Sequence, residues 1–197
     1  MNTGGKEMVK VRRTTKETMV DIELEMNGQR NIQVDTGIGF FDHMITSLAF
    51  WAGWDLTLRC KGDLHVDTHH TVEDVGILLG QAFNKAMLNE KRIERIAYAF
   101  SPLDEALSRI VVDLCNRPYC LFDANFSEEK VGDFETSMAS HFFHSFATEA
   151  RITLQVHSLF GENAHHMIES MFKGLGLALR RALSSRSGGV ASTKGVL

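Results

Sequence analysis

The segment His69-His70-Thr71-Val72-Glu73 returns 96 residues later as His165-His166-Met167-Ile168-Glu169. A chain of 197 residues that carries one such cassette twice is constrained to fold as a tandem of two similar units. The correspondence continues outside the cassette. The same offset lays Thr57-Leu58 on Thr153-Leu154, Gly80 on Gly176 and Ala86 on Ala182, and a slightly larger one lays His43 on His141, Ser47 on Ser145 and Ala49 on Ala147.

Each copy therefore supplies three histidines and a carboxylate: His43, His69, His70 and Glu73, then His141, His165, His166 and Glu169. Imidazole nitrogen combined with carboxylate oxygen suits divalent manganese, iron or zinc, and residues three or four apart share one face of a helix. Eight candidate ligands suit two ions. At four per ion, an octahedral metal keeps two positions open for substrate, so the sites read as catalytic rather than as closed structural zinc. Adjacent helical histidines diverge by about 100° and should serve different ions, which would let metal join neighbouring subunits. His65, His144 and His157 have no counterpart in the repeat and read as surface or packed histidines.

Hydrophobic residues make up 44% of the chain, enough for one compact core or two closely fused halves. The first repeat is expected over residues 1–92 and the second over 93–184, with 185–197 a flexible tail. A net charge of −4 gives no general basic field for nucleic acid. Neither a signal-peptide pattern nor a run of about 18 apolar residues occurs, so no membrane association and a cytoplasmic location are expected. Cys60, Cys115 and Cys120 lack CxxC spacing and read as buried thiols.

Val20, Ile22, Leu24 and Met26 alternate with acidic residues as a half-buried strand does, and Asn27-Gly28 predicts a hairpin after it. Residues 40–52 have helical spacing and 55–60 read as a strand. Asp67 and Asn163 predict N-caps, placing each cassette in the first turns of a helix that runs to about Leu88 or Ser184. Gly76, Gly80, Gly174 and Gly176 inside those helices predict close packing. In the second half, 110–114 and 119–126 read as strands, 135–148 as a helix, 152–157 as a strand and 164–184 as the second cassette helix. The expected fold class is α+β, two similar units with helices on one sheet face.

The segments FFDHM (40–44), DTHHTVED (67–74), SPLDEAL (101–107), NRPY (116–119), HFFHSFA (141–147), GENAHHMIESMFKGL (161–175) and STKGVL (192–197) resemble the imidazoleglycerol-phosphate dehydratase family over essentially the whole chain. The resemblance implies a lyase of histidine biosynthesis that converts imidazole glycerol phosphate to imidazole acetol phosphate. It also implies two Mn2+ per active site, a homo-oligomeric shell of 24 subunits with active sites between them, and a fold like the second domain of ribosomal protein S5. Metals on both ring nitrogens would stabilise an imidazolate able to expel the neighbouring hydroxyl. The family's proton-abstracting position falls on Glu17, with Glu169 as the alternative, and Lys173 falls near the reacting hydroxyl. Phosphate-binding positions fall on Arg95, Arg117, Ser192 and Lys194, where forked and point-charge cations suit a phosphate. Gln155, His157 and His144 depart from the family's usual residues, and none is among the eight ligands.

Two other readings compete. A metal-dependent hydrolase would also use an open metal site, but the zincin order HExxH places the glutamate between the histidines. A non-catalytic, metal-assembled shell needs ligands but no convergent phosphate-binding cations, which Arg95, Arg117 and Lys194 would supply.

Overall fold

Strands whose side chains alternate between core and solvent build two matching sheets, each followed by its helices. The computed structural model describes residues 8–88, 90, 93–185, 187 and 191. The first unit runs β1 (Val9–Thr14), β2 (Thr18–Glu25), β3 (Ile32–Asp35), α1 (Gly39–Ala52), β4 (Asp55–Gly62) and α2 (His69–Met87). The second runs β5 (Ile96–Leu103), β6 (Ala106–Asp113), β7 (Tyr119–Asp123), a short hairpin β8 (Lys130–Val131) and β9 (Phe134–Glu135), then α3 (Met138–Ala150), β10 (Thr153–Phe160) and α4 (Ala164–Ala182).

The sheet orders, β1-β2-β4-β3 and β5-β6-β10-β7, are identical under the duplication. In both, the strand before the first helix lies parallel to the strand after it, and the remaining pairs are antiparallel. The expected mixed α+β tandem is therefore what the chain forms. On β2, Val20, Ile22 and Leu24 point inward; on β6, Ser108, Ile110 and Val112 do the same. The helices pack on those inner faces.

The helices pair across the units. α1 lies along α4 and α2 along α3, so the two units share one continuous apolar core. Trp54, Phe41, Phe83, Phe142, Phe146 and Phe172 are fully buried in it, each worth roughly 1.5–3 kcal/mol of transfer free energy. The helical glycines make the pairing close. A Cβ on Gly80 would lie 2.7 Å from the Phe146 carbonyl oxygen, and one on Gly176 would meet Leu48 O and lie 2.9 Å from Ala52 N. Gly76 likewise faces α3, whereas Gly174 faces Ile110 of the sheet.

Several local expectations are corrected. Met26-Asn27 does turn, but no hairpin follows, because β4 takes the place beside β2. Asp55 captures the backbone N–H groups of Gln29 and Asn31 at 2.6 and 2.8 Å, which carries the chain away to the far edge of β4. The antiparallel partner of β2 is the preceding β1. The helix expected from residue 135 begins at Met138, and Glu135 belongs to β9. Asn163 caps α4 by accepting from His166 N, but the N-cap residue of α2 is Thr68, with Asp67 accepting from His69 N at 2.8 Å.

Candidate metal and active site

The cross-unit helix pairs place the histidines. α1 and α4 both start at one end of their contact, so His43 and His165 meet there, and α2 and α3 bring His69 to His141 in the same way. A cluster built by either pair draws on both copies of the repeat.

In the first cluster His43 Nε2 and His165 Nε2 lie 3.2 and 3.1 Å from the same oxygen of Glu169. Among the described residues these three form the one group of metal-capable side chains whose ligand atoms all lie within 4.8 Å of one another. Lys173 Nζ sits 2.7 Å from the other Glu169 oxygen. Burial works to raise the Glu169 pKa, but Lys173 and His43 more than offset it, and the carboxyl titrates below its ordinary range. Phe40 meets the His165 ring edge-on at 4.9 Å, and Phe40 and Phe41 both pack on Phe134 of the β8–β9 hairpin.

The second cluster is its counterpart and is more open. His69 and His141 have ring centroids 4.5 Å apart, and His69 Nε2 is 3.9 Å from Glu73. Thr68, which starts α2, donates to Glu135 of the hairpin, so that inserted element touches the supports of both clusters.

His70 and His166 point elsewhere than their neighbours. His70 Nδ1 lies 3.1 and 3.2 Å from the Asp63 oxygens, and His166 Nδ1 lies 2.8 Å from Glu105 Oε2. A carboxylate only accepts, so the proton sits on Nδ1 and Nε2 is left as the available donor atom of each ring. The bond to Asp63 raises the His70 pKa against desolvation, with smaller help from Glu17 and Asp67, and Glu105 raises that of His166 in the same way. Glu105 is in turn pulled down to about 2 by the Asn163 backbone N–H and by His166.

Glu17 lies exposed in the β1–β2 loop, within electrostatic reach of His70, and its carboxylate has no hydrogen-bond partner among the described residues. Buried Asp74 fixes that loop to α2: it accepts from Arg13 Nε at 2.8 Å and from the Thr18 hydroxyl. Asp63, Asp74, Glu105 and Glu135 were not singled out from the sequence. Asp74 and Glu105 lie inside the segments DTHHTVED and SPLDEAL, but their contacts join residues far apart in the chain.

Arg95 is engaged by an ion pair. Its guanidinium holds both Asp113 oxygens at 2.6 and 2.9 Å and donates at 2.9 Å to the Ala191 carbonyl. Arg117 is exposed after β6, and only its carbonyl is bonded, to Thr153 and Cys115. Ser192 and Lys194 lie outside the described residues. His144 is exposed and bonds Ser140 O, and His157 faces outward on β10 beside Gln155.

The fold and these clusters define a duplicated α+β protein whose histidines and carboxylates converge at the starts of paired helices. Residues 36–179 match the family model described as imidazoleglycerol-phosphate dehydratase. A protein of that description from Maridesulfovibrio salexigens is 46% identical over 187 residues, 95% of this chain and 96% of its own length. Another, from Magnetococcus marinus, is 50% identical over 188 residues, 94% of this chain and 95% of its own. The crystal structure of the dehydratase from Pyrococcus furiosus, solved in complex with (S)-C348, superposes with a TM-score of 0.80 at 39% identity, covering 95% of this chain and 100% of that one. The chain belongs to the imidazoleglycerol-phosphate dehydratase family, a family of hydro-lyases.

Proposed function

We propose that this chain dehydrates imidazole glycerol phosphate to imidazole acetol phosphate in histidine biosynthesis, at sites that hold two manganese ions. The observation that carries the reading is the convergence of His43, His165 and Glu169, with Lys173 on the carboxylate oxygen those histidines leave free. The donor set fits such an ion: neutral imidazoles and a depressed carboxyl are deprotonated at neutral pH, as metal ligands must be. His43, His165 and Glu169 would belong to one ion, and His69, His141 and Glu73 to the other. His70 and His166, aimed away from those clusters, would complete sites of neighbouring subunits. Ions held there supply Lewis acidity to the substrate's imidazole nitrogens.

The chain's own residues divide the remaining work. Both Glu169 oxygens are taken, by the histidines and by Lys173, whereas the Glu17 carboxylate is exposed. This favours Glu17 as the base that removes the carbon proton, with Lys173 beside the departing hydroxyl. Arg117, Ser192 and Lys194 would hold the phosphate, and Arg95 would contribute by fixing the chain at Ala191.

The same reading makes the chain a homo-oligomer, a shell of 24 subunits with its sites between them. Its repeats span 1–92 and 93–184, ahead of a 185–197 tail that serves the phosphate. Supporting the repeat boundary, Glu94 N and Arg95 N bond the carbonyls of Ser184 and Ala182, where the second unit starts and ends. An apolar stripe on the outer face of the second sheet, Ile96, Tyr98 and Phe100, suits contact with another copy. No described helix is long and apolar enough to cross a membrane, and the three cysteines are free, which agrees with a cytoplasmic place.

Removing metal with a chelator should abolish turnover and reduce the mass seen by light scattering, and Mn2+ should restore both. Full turnover in protein shown to be metal-free would overturn the metal-dependent reading. An unchanged mass would overturn only the bridging part.

A further inference from the structure

The two units hold their second histidines from opposite sides. The loops Lys16-Glu17, between β1 and β2, and Asp104-Glu105, between β5 and β6, are both two-residue hairpin connections at matching places, because Thr15 N bonds Thr18 O in the first and Leu103 pairs with Ala106 in the second. Glu17 and Glu105 are thus the same position of the repeat. Asp63 and Gly161 are also equivalent, since each directly follows an eight-residue strand, β4 or β10, that leads to a cassette helix.

In the second unit the loop carboxylate, Glu105, takes His166 Nδ1 at 2.8 Å. In the first unit the strand-end carboxylate, Asp63, takes His70 Nδ1 at 3.1 Å. Gly161 cannot perform that task. It has φ of 152°, and a Cβ there would run into the Met167 side chain and lie 3.3 Å from Ala106 Cβ. Asp104, the other carboxylate near His166, is 3.8 Å from Nε2 and too far for a hydrogen bond.

We propose that Glu105 is a positioning residue: it keeps the proton on His166 Nδ1 and so presents Nε2 to a metal ion. Asp63 performs this task for His70, and that substitution of one carboxylate for another is what leaves Glu17, the counterpart of Glu105, free in the first unit. The inference rests on the proposed ligand role of His166. A carboxylate on the far nitrogen orients a metal-binding imidazole and increases its basicity, and losing it lowers metal affinity by ~10–100-fold.

Glu105→Gln is the discriminating variant, because its amide oxygen still accepts from the Glu162 and Asn163 N–H groups that Glu105 bonds at 3.3 and 3.0 Å. Chelated full-length protein would be titrated with Mn2+ by calorimetry, and the imidazole 15N signals of the metal-free protein would report the His166 tautomer. Glu105→Gln should weaken Mn2+ binding ~10–100-fold and mix the His166 tautomers, Glu105→Asp should recover most of both, and Glu17→Gln should alter neither. Wild-type affinity and an unchanged tautomer in Glu105→Gln, with His166→Ala impaired, would overturn the positioning role alone. Wild-type Mn2+ binding by His166→Ala would overturn the ligand reading and this inference with it. Should Glu105→Gln fail to fold by circular dichroism, the Glu105→Asp titration and tautomer decide in its place: retained Nδ1–H and near-wild-type affinity support the role, and loss of both refutes it.

Discussion

Lys173 Nζ lies 2.7 Å from Glu169 Oε1, one turn along α4, while the opposite oxygen of that carboxylate faces His43 and His165. The lysine therefore sits at the edge of the first cluster without competing for its ligand oxygen. Lys173→Met should lower kcat by roughly 10²–10⁴ with a smaller change in KM, the range of a lost acid–base or charge partner at the reacting group. Burial alone would then act on Glu169 against only His43, so its pKa should rise and Mn2+ uptake at mildly acidic pH should weaken. Steady-state kinetics and a pH series of metal titrations check both. An unchanged kcat would remove Lys173 from the chemistry.

The cross-unit helix contacts make a stability prediction independent of metal. Gly176→Ala pushes a methyl against the α1 backbone at Leu48 and Ala52, which cannot yield as a side-chain tip would. The expected cost is about 1–3 kcal/mol, or a fall in Tm of roughly 2–12 °C for a chain of this size. Gly80→Ala should behave alike against Phe146 and Ala150 of α3. Gly132→Ala is a different case, with open space around the added methyl but φ of +59°. Calorimetry on the three variants separates crowding from backbone strain: if Gly132→Ala costs as much as Gly176→Ala, close packing is not what the helical glycines provide.

What the sequence made legible was periodic or duplicated. The cassettes, the core helices and the Asn163 cap are local patterns, and the repeat itself announced two matching units. β5 escaped because its outward residues, Ile96, Tyr98 and Phe100, are as apolar as its inward ones, which erases the period-two signal. The Asn27-Gly28 turn misled because a distant residue, Asp55, decides where the chain goes next. Asp63, Asp74 and Glu105 were silent because each acts through one partner, and a single long-range hydrogen bond leaves no pattern in the chain. The cross-unit pairing of α1 with α4 was equally hidden, since nothing in either copy says which helix of the other it will meet.

Glu105 also sets an acid limit for the fold. Its folded pKa of about 2 lies below the ordinary 4.5, so its contribution is fully present above the unfolded value and is lost as pH falls from there through the folded value. In metal-free protein, chemical denaturation should show stability falling as pH is lowered across that window. Glu105→Gln, which cannot titrate, should flatten the fall while lowering stability near neutrality. Parallel curves for the two proteins would show that the residue has no such linkage.

His69→Ala and His70→Ala should part company with their fold: each removes a ring at the start of α2 and no core volume, so circular dichroism should stay near wild type while turnover is lost. His165→Ala and His166→Ala should repeat the result on α4. Wild-type activity with metal fully bound in any one of the four would take that histidine out of the ligand set.

The Arg95 side chain ties Asp113 of β6 to the carbonyl of Ala191, the residue just before Ser192 and Lys194. If the tail serves the substrate phosphate, Arg95 and Lys194 act on one event, the first by holding the chain and the second by contact. Lys194→Ala should raise KM roughly tenfold to a hundredfold with a smaller change in kcat, as expected for a charge-assisted bond of ~1.5–3 kcal/mol made equally in ground and transition states. Arg95→Lys keeps a charge but loses the fork that spans Asp113 and the Ala191 carbonyl, and it should shift KM in the same direction. Because the two act in series, the double variant should cost less than the sum of the single ones. A truncation after Gly189 should match or exceed the double variant, since it removes the carbonyl that Arg95 holds as well as Ser192 and Lys194. If the truncated enzyme keeps the wild-type KM, the tail plays no part in substrate binding, and Arg117 becomes the first cation to test for the phosphate.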